Sequence, residues 1–256
     1  MTDSTLANLW GFATNRMGWT ILKDEGKVVG LAGHGQVNKK IYDYLSYCLR
    51  YENLSHKCVG WLSKSDFIYE KLDKDGWFTE TQKRADFAAT LEKFSEDMVY
   101  KMLADMRFKF PEYKKLCLSG GLFANVKLNQ FINESNLYDE IYIHQAMGDS
   151  GLFLGAALLK AYELKEIKEP LKPKNVYWGE SFSKDHWLSI LESNPTVKTR
   201  SFDFDYVANL INEGKVVGLF QGRTEYGPRA LGNRSIIVKP TDPGTHQKLN
   251  QRLKRT

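Results

Sequence analysis

The three cysteines of this chain, Cys48, Cys58 and Cys117, form no CxxC pair and no even disulfide framework, which excludes a disulfide-stapled secreted scaffold. They fit buried thiols in a reducing compartment. No window approaches the apolar length of a membrane span, and the N-terminus lacks the basic segment and apolar core of a secretion signal. Cytoplasm is the simplest expectation, with no membrane partner. The five histidines, His34, His56, His144, His186 and His246, include no HxxxH or HxH pair that would put two rings on one face. A serine or cysteine nucleophile signature, a Walker loop and a dinucleotide fingerprint are all missing. There is no internal repeat and no low-complexity tract.

What is present is ordinary for a globular protein: 256 residues, 42% hydrophobic and 26% charged, enough for one large or two small domains. A net charge of +5 with mixed signs is a weak pointer to a polyanion, and nucleic acid is not the expected partner. Between Glu25 and Gly35 the apolar run Val28 to Ala32, bracketed by glycines, reads as a short strand and tight turn. From Glu80 to Phe108, apolar residues at spacings of three and four predict a long helix with one buried face. Beyond Pro111 the pattern is strand (Lys115 to Leu118), glycine turn, helix (Leu122 to Ile132), then strand (Glu140 to Gln145), loop and Ala-rich helix (Gly151 to Tyr162). Two such units in a row indicate an α/β layer architecture. The stretch KEIKEPLKPK reads as a connection, giving domains at 1–168 and 176–256 with a linker at 169–175. In the second, a helix from Tyr206 to Asn212 is closed by Gly214, a strand runs from Lys215 to Phe220, and Asp242 with Pro243 has the form of a helix start.

Four places carry candidate chemistry. The stretch KVVGLFQGRTEYGPRALGNRS gathers Arg223, Arg229 and Arg234 against Glu225 alone, among Gly222, Gly227 and Gly232. Such a loop suits a small anion, because guanidinium forks match phosphate and carboxylate and glycines free the backbone to close around it; a surface hairpin with solvated charges is the competing reading. Gly120 and Gly121 stand where a strand gives way to a helix, so the backbone can approach a phosphate, with Asn125 about one turn on as a hydrogen-bonding partner; simple turn geometry is the alternative. Asp149 can cap the helix that follows or ligate a metal. Lys27 and Glu25 can meet phosphate and ribose, or form a solvated ion pair.

Taken in order, EGKVVGLAGHG, LSGGLFANVKLNQ, GDSGLFLGAAL and GKVVGLFQGRTEYGPRALGNRSI resemble the O-carbamoyltransferases of nodulation-factor and antibiotic biosynthesis over nearly the whole chain. The resemblance implies the second half of an actin-like ATPase (ASKHA) domain followed by part of a YrdC-like α+β domain. It implies that ATP and carbamoyl phosphate give a carbamoyl-adenylate, whose carbamoyl group passes to the hydroxyl of a small-molecule acceptor. Arg223, Arg229 and Arg234 would then neutralise carbamoyl phosphate and the charge that grows as phosphate leaves. Lys27, Gly30, Gly120, Gly121 and Asn125 would border the nucleotide, and Asp149 would ligate a divalent metal, expected to be iron. The family's metal-binding histidines come from an HxxxH motif that this chain lacks, and the family continues beyond NQRLKRT. The chain therefore reads as an internal portion of a larger enzyme or one subunit of a split one, with a second polypeptide supplying the N-terminal half. Two other readings stay open: a tRNA threonylcarbamoyl transferase-like enzyme, and a non-catalytic remnant that binds a nucleotide or a partner.

Overall fold

A computed structural model describes residues 5–58, 65–169, 174–241 and 244–253. The chain divides into two compact units, Met1–Leu152 and Phe153–Thr256, and each is described by itself. This division falls ahead of the stretch read as a linker, of which residues 170–173 lie outside the described residues. No helix among the described residues is long and apolar enough to cross a membrane.

The first unit opens with helices α1 (Leu6–Arg16), α2 (Glu25–Ala32) and α3 (Lys39–Cys48), then strands β1 (Leu49–Glu52) and β2 (Ser55–Cys58), an antiparallel pair. Helix α4 (Ser65–Lys74) leads to α5 (Thr81–Lys109), whose 29 residues confirm the predicted long helix. The spacing of its apolar residues has the consequence it should: Phe87, Leu91, Phe94, Met98 and Leu103 are buried together with Leu6, Leu9 and Trp10 of α1, Val28 of α2 and Ile41 and Leu45 of α3. One polar pair is buried in this core, where the Trp10 indole N–H donates to Ser95 Oγ at 3.0 Å.

The run Val28 to Ala32 forms the last five residues of α2 and not a strand. A short apolar run is equally at home in either form, and packing decides. Val28 is fully buried against the core that α5 organises. The acids at the helix start assist: Asp24 Oδ2 accepts from Thr20 N at 3.0 Å, and Glu25 Oε1 accepts from Leu22 N at 2.6 Å. Gly35 is fixed by contact, because a Cβ there would stand 1.9 Å from the Ala85 carbonyl oxygen.

Beyond α5 come β3 (Lys115–Leu118), a 3-10 turn (Gly121–Ala124), α6 (Val126–Glu134), β4 (Glu140–Ile143) and a second 3-10 turn (Asp149–Gly151). The two strands pair in parallel from Lys115↔Glu140 to Leu118↔Ile143. Helix α7 (Leu152–Glu163) begins at the unit boundary. The second unit continues with α8 (Lys184–Glu192), α9 (Phe204–Asn212), β5 (Val217–Phe220), β6 (Arg234–Ile237) and α10 (Thr245–Arg252); β5 and β6 are antiparallel. The expected helix and strand at 206–220 are present, whereas the cap assigned to Asp242 and Pro243 lies outside the described residues. The chain is thus a mixed α/β protein whose sheets are all two-stranded among the described residues.

Candidate functional site

Parallel strands present their carboxyl ends on one edge, and in α/β proteins ligands bind in the crevice outside those ends. Here that edge carries the glycine turn after β3 and the loop after β4. Gly120 N–H donates to the Met147 carbonyl at 2.6 Å, and His144 N–H donates to Leu118 O at 3.3 Å, so the two loops lie side by side. This brings Gly120, Gly121, Asn125 and Asp149 to one edge of the first unit.

Gly120 has φ 112° and ψ 151°, a conformation essentially reserved for glycine. An added Cβ at Gly120 or Gly121 would meet nothing within 4 Å, so the turn is open on the side where a side chain would stand. The geometry suits the close approach of a phosphate. Asn125 is the N-cap of α6 itself, one turn earlier than its sequence position suggests. Its Oδ1 accepts from Lys127 N at 3.0 Å and Leu128 N at 3.1 Å, and its Nδ2 donates to Glu92 Oε2 at 2.7 Å. Capping therefore occupies the amide oxygen.

Asp149 is exposed at the start of the second 3-10 turn, where Gly148 and not the aspartate is the N-cap residue. Among the described residues no three His, Cys, Asp or Glu side chains come together as a metal ligand set, so the residues present do not complete a metal site around Asp149. Lys27 and Gly30 lie on α2. Lys27 Nζ is 3.1 Å from Asp24 Oδ1, so its ion pair is with Asp24 and not with Glu25, whose Oε1 accepts from Leu22 N. Two residues that the sequence did not single out belong to this edge. Glu92 on α5 is buried beneath Asn125, and the His144 ring lies where a Cβ at Gly151 would be 3.2 Å from it.

In the second unit the arginine loop spans the β5–β6 connection, residues 221–233, with positive φ at Gly222, Gly227 and Gly232. It is organised by its single acid, in a way the sequence did not reveal. Glu225 is 9% exposed, and its Oε1 accepts from the peptide N–H of Leu231 (2.8 Å), Asn233 (2.7 Å) and Arg234 (3.1 Å). Burial pushes this carboxyl up, but the backbone donors outweigh it and hold the pKa at about 2. Glu225 thus gathers peptide dipoles of its own loop.

The arginines divide. Arg223 donates from Nε to Gly179 O at 2.7 Å and from a terminal nitrogen to Trp178 O at 3.2 Å, which ties the loop to the segment that meets it through the Tyr177↔Glu225 bridge. Arg234 donates to the carbonyls of Gln221 (2.8 Å), Asn233 (3.1 Å) and Gly222 (3.3 Å), with its guanidinium 3.5 Å from the centre of the Phe220 ring. These bonds direct the Arg223 guanidinium to the 178–179 segment and the Arg234 guanidinium to the loop's own carbonyls. Arg229 is exposed within the connection. An open cavity of about 290 Å³ in this unit is lined by Lys239, Lys248 and Arg252 among others, and none of the three loop arginines lines it.

Comparison with known proteins agrees with this arrangement in two parts. Residues 2–158 match the family model described as carbamoyltransferase N-terminus, and residues 208–256 match the one described as carbamoyltransferase C-terminus. The chain belongs to the carbamoyltransferase family. An uncharacterized protein of Methanocaldococcus jannaschii is 33% identical over 98% of this chain and 42% of its own length. Nodulation protein NolO of Bradyrhizobium diazoefficiens is 34% identical over 68% of this chain and 32% of its own length, and Nodulation protein U of Sinorhizobium fredii 26% over 93% and 43%. The chain spans less than half the length of these relatives.

Proposed function

We propose that the chain takes part in the transfer of a carbamoyl group from carbamoyl phosphate to a substrate hydroxyl, by way of a carbamoyl-adenylate formed with ATP. The observation that carries this reading is the match to both carbamoyltransferase models, in order, on one chain that also presents an open glycine turn at the ends of a parallel strand pair. In this reading the first unit is part of an actin-like ATPase domain, and Gly120, Gly121 and Asn125 border the nucleotide phosphates, with Lys27 and Gly30 on α2 as the further expected contacts. The second unit is part of a YrdC-like domain. Arg223 and Arg234, prepositioned by their backbone bonds, and Arg229 on the exposed side neutralise carbamoyl phosphate and the leaving phosphate. Prepositioned donors of this kind need no reorganisation as charge develops, which is what makes them effective. Iron at Asp149 remains an expectation attached to one carboxylate, and no step is assigned to it. A further polypeptide carrying the part of the relatives that this chain does not span, working in the cytoplasm, completes the proposal.

The test combines the chain with such a polypeptide, carbamoyl phosphate and labelled ATP, and measures pyrophosphate and carbamoyl-adenylate. Arg229→Ala is expected to lower pyrophosphate release about a hundredfold, the size of effect seen on losing one stabilising donor. No release by the wild-type chain, or release indifferent to Arg229→Ala, would sink the proposal. The non-catalytic reading draws on the absence of a metal ligand set among the described residues. Calorimetry that finds ATP binding without turnover in the combined sample would favour it.

A further inference from the structure

Glu92 sits on α5 against Asn125 in the first unit and is only 8% exposed. One carboxylate oxygen, Oε2, accepts from Asn125 Nδ2 at 2.7 Å; the other, Oε1, has no hydrogen-bond partner among the described residues. Burial raises the pKa of this carboxyl, against the lowering effect of the Asn125 bond, and the neighbouring Glu96 adds to the rise. A buried carboxylate with an unpaired oxygen is costly, and a hydrocarbon side chain of similar volume would serve the core at least as well. Packing therefore does not explain Glu92. Its hydrogen bond does.

Asn125 is itself 6% exposed, and its amide can face the α6 N-terminus in two ways. With Oδ1 inward it accepts from Lys127 N and Leu128 N, as observed; flipped, it would set Nδ2 against two donors. A carboxylate is an acceptor only. It bonds the amide in the first orientation and repels the amide oxygen in the second. The backbone on either side follows this choice: Asn125 N–H donates to Leu122 O at 3.1 Å, and Phe123 N–H donates to Gly120 O at 3.0 Å, so a fixed cap fixes the chain back to the glycine turn.

We infer that Glu92 is a positioning residue for the Gly120–Gly121 turn, acting by selecting the capping orientation of the Asn125 amide. The inference rests on the nucleotide reading above only for what the turn would hold.

The test uses the full 256-residue chain and two readouts: amide hydrogen exchange at Lys127 and Leu128, and ATP binding by calorimetry. Glu92→Leu is expected to accelerate exchange at both amides about tenfold and to weaken ATP binding about tenfold, the loss of one buried hydrogen bond, while the melting temperature stays level or rises because an unpaired charge has gone. Glu92→Gln keeps an acceptor for Asn125 but adds a donor that can bond the flipped amide, and is expected to fall between wild type and Glu92→Leu in both readouts. Asn125→Asp keeps the capping oxygen but sets carboxylate against carboxylate, and is expected to behave as Glu92→Leu. The pair Glu92→Gln with Asn125→Asp restores a donor between the two positions, and protection should return. Should Glu92→Leu not fold, Asn125→Asp and its rescue decide alone. Exchange unchanged in Asn125→Asp, or no recovery in the pair, overturns the inference. Absence of ATP binding by the wild-type chain both alone and combined with the further polypeptide defeats the nucleotide reading instead, and exchange at Lys127 and Leu128 still decides on Glu92.

Discussion

At the residue scale, the arginine loop turns on an acid. Three peptide N–H groups converge on one Glu225 oxygen, and a carboxylate so bonded favours its charged form. Its pKa falls from 4.5 to about 2, so the sign of its pH effect is fixed: the stabilisation is fully present above about pH 4.5 and disappears as pH falls through about 2. Exchange of the Leu231, Asn233 and Arg234 amides, corrected for its intrinsic pH dependence, should accelerate over that window in the wild type. Glu225→Gln, which keeps an acceptor but no charge, should already exchange about tenfold faster at pH 7 and show no transition. Amides whose protection is flat through pH 2 to 4.5 in the wild type would show that the carboxylate is not what holds the loop.

At the scale of elements, α5, β3, β4, α7 and β5 were legible in the sequence, and for the same reason in each case. Their apolar spacing and glycine punctuation agree locally with the element that forms. Helix α2 was not legible, because an eight-residue EGKVVGLA is locally ambiguous and only contact with the core resolves it. The glycine turn could be read from its own residues, since its conformation is demanded locally at Gly120. Glu92 could not. A lone glutamate in a helix of mixed charge looks like any solvated residue until Asn125, 33 positions later, is folded onto it. Likewise the sequence offers Glu225 three arginines, and nothing in the string says that peptide groups reach it first. Gly35 is an element-scale contact of the same hidden kind. Gln36 N–H donates to Asp86 Oδ1 at 2.8 Å and Asn38 N–H to Thr90 Oγ1 at 2.9 Å, both on α5, and a Cβ at Gly35 would collide with the Ala85 carbonyl of the same helix. Gly35→Ala should therefore lower stability by about 1–3 kcal/mol in urea unfolding. A loss below a few tenths would mean that the segment can move off α5 without cost.

At the scale of the whole molecule, apolar burial is uneven. Every buried apolar side chain among the described residues lies at or before Ala146, whereas α7 leaves Leu152 at 69% and Phe153 at 66% exposed, and α8 and α9 bury no residue. Burial of apolar area is the main favourable term in folding, at about 25 cal/mol per Å², and a unit that buries little has little to set against the entropy of ordering its chain. The backbone hydrogen bonds of the second unit, including the long-range ones from Tyr226 N–H to Val176 O and from Gly179 N–H to Thr224 O, cannot substitute for a core. Limited proteolysis of the isolated chain should accordingly cut first within residues 153–253 and leave a resistant fragment that ends near residue 150 and retains α1 to α6. The same fragment should carry the cooperative thermal transition. Addition of the polypeptide that supplies the remaining carbamoyltransferase sequence should slow those cuts, because exposed apolar helices such as α7 are where a partner contributes most by burial. First cleavage within α5, or equal resistance of the two units without a partner, would show that stability does not follow the distribution of buried apolar side chains.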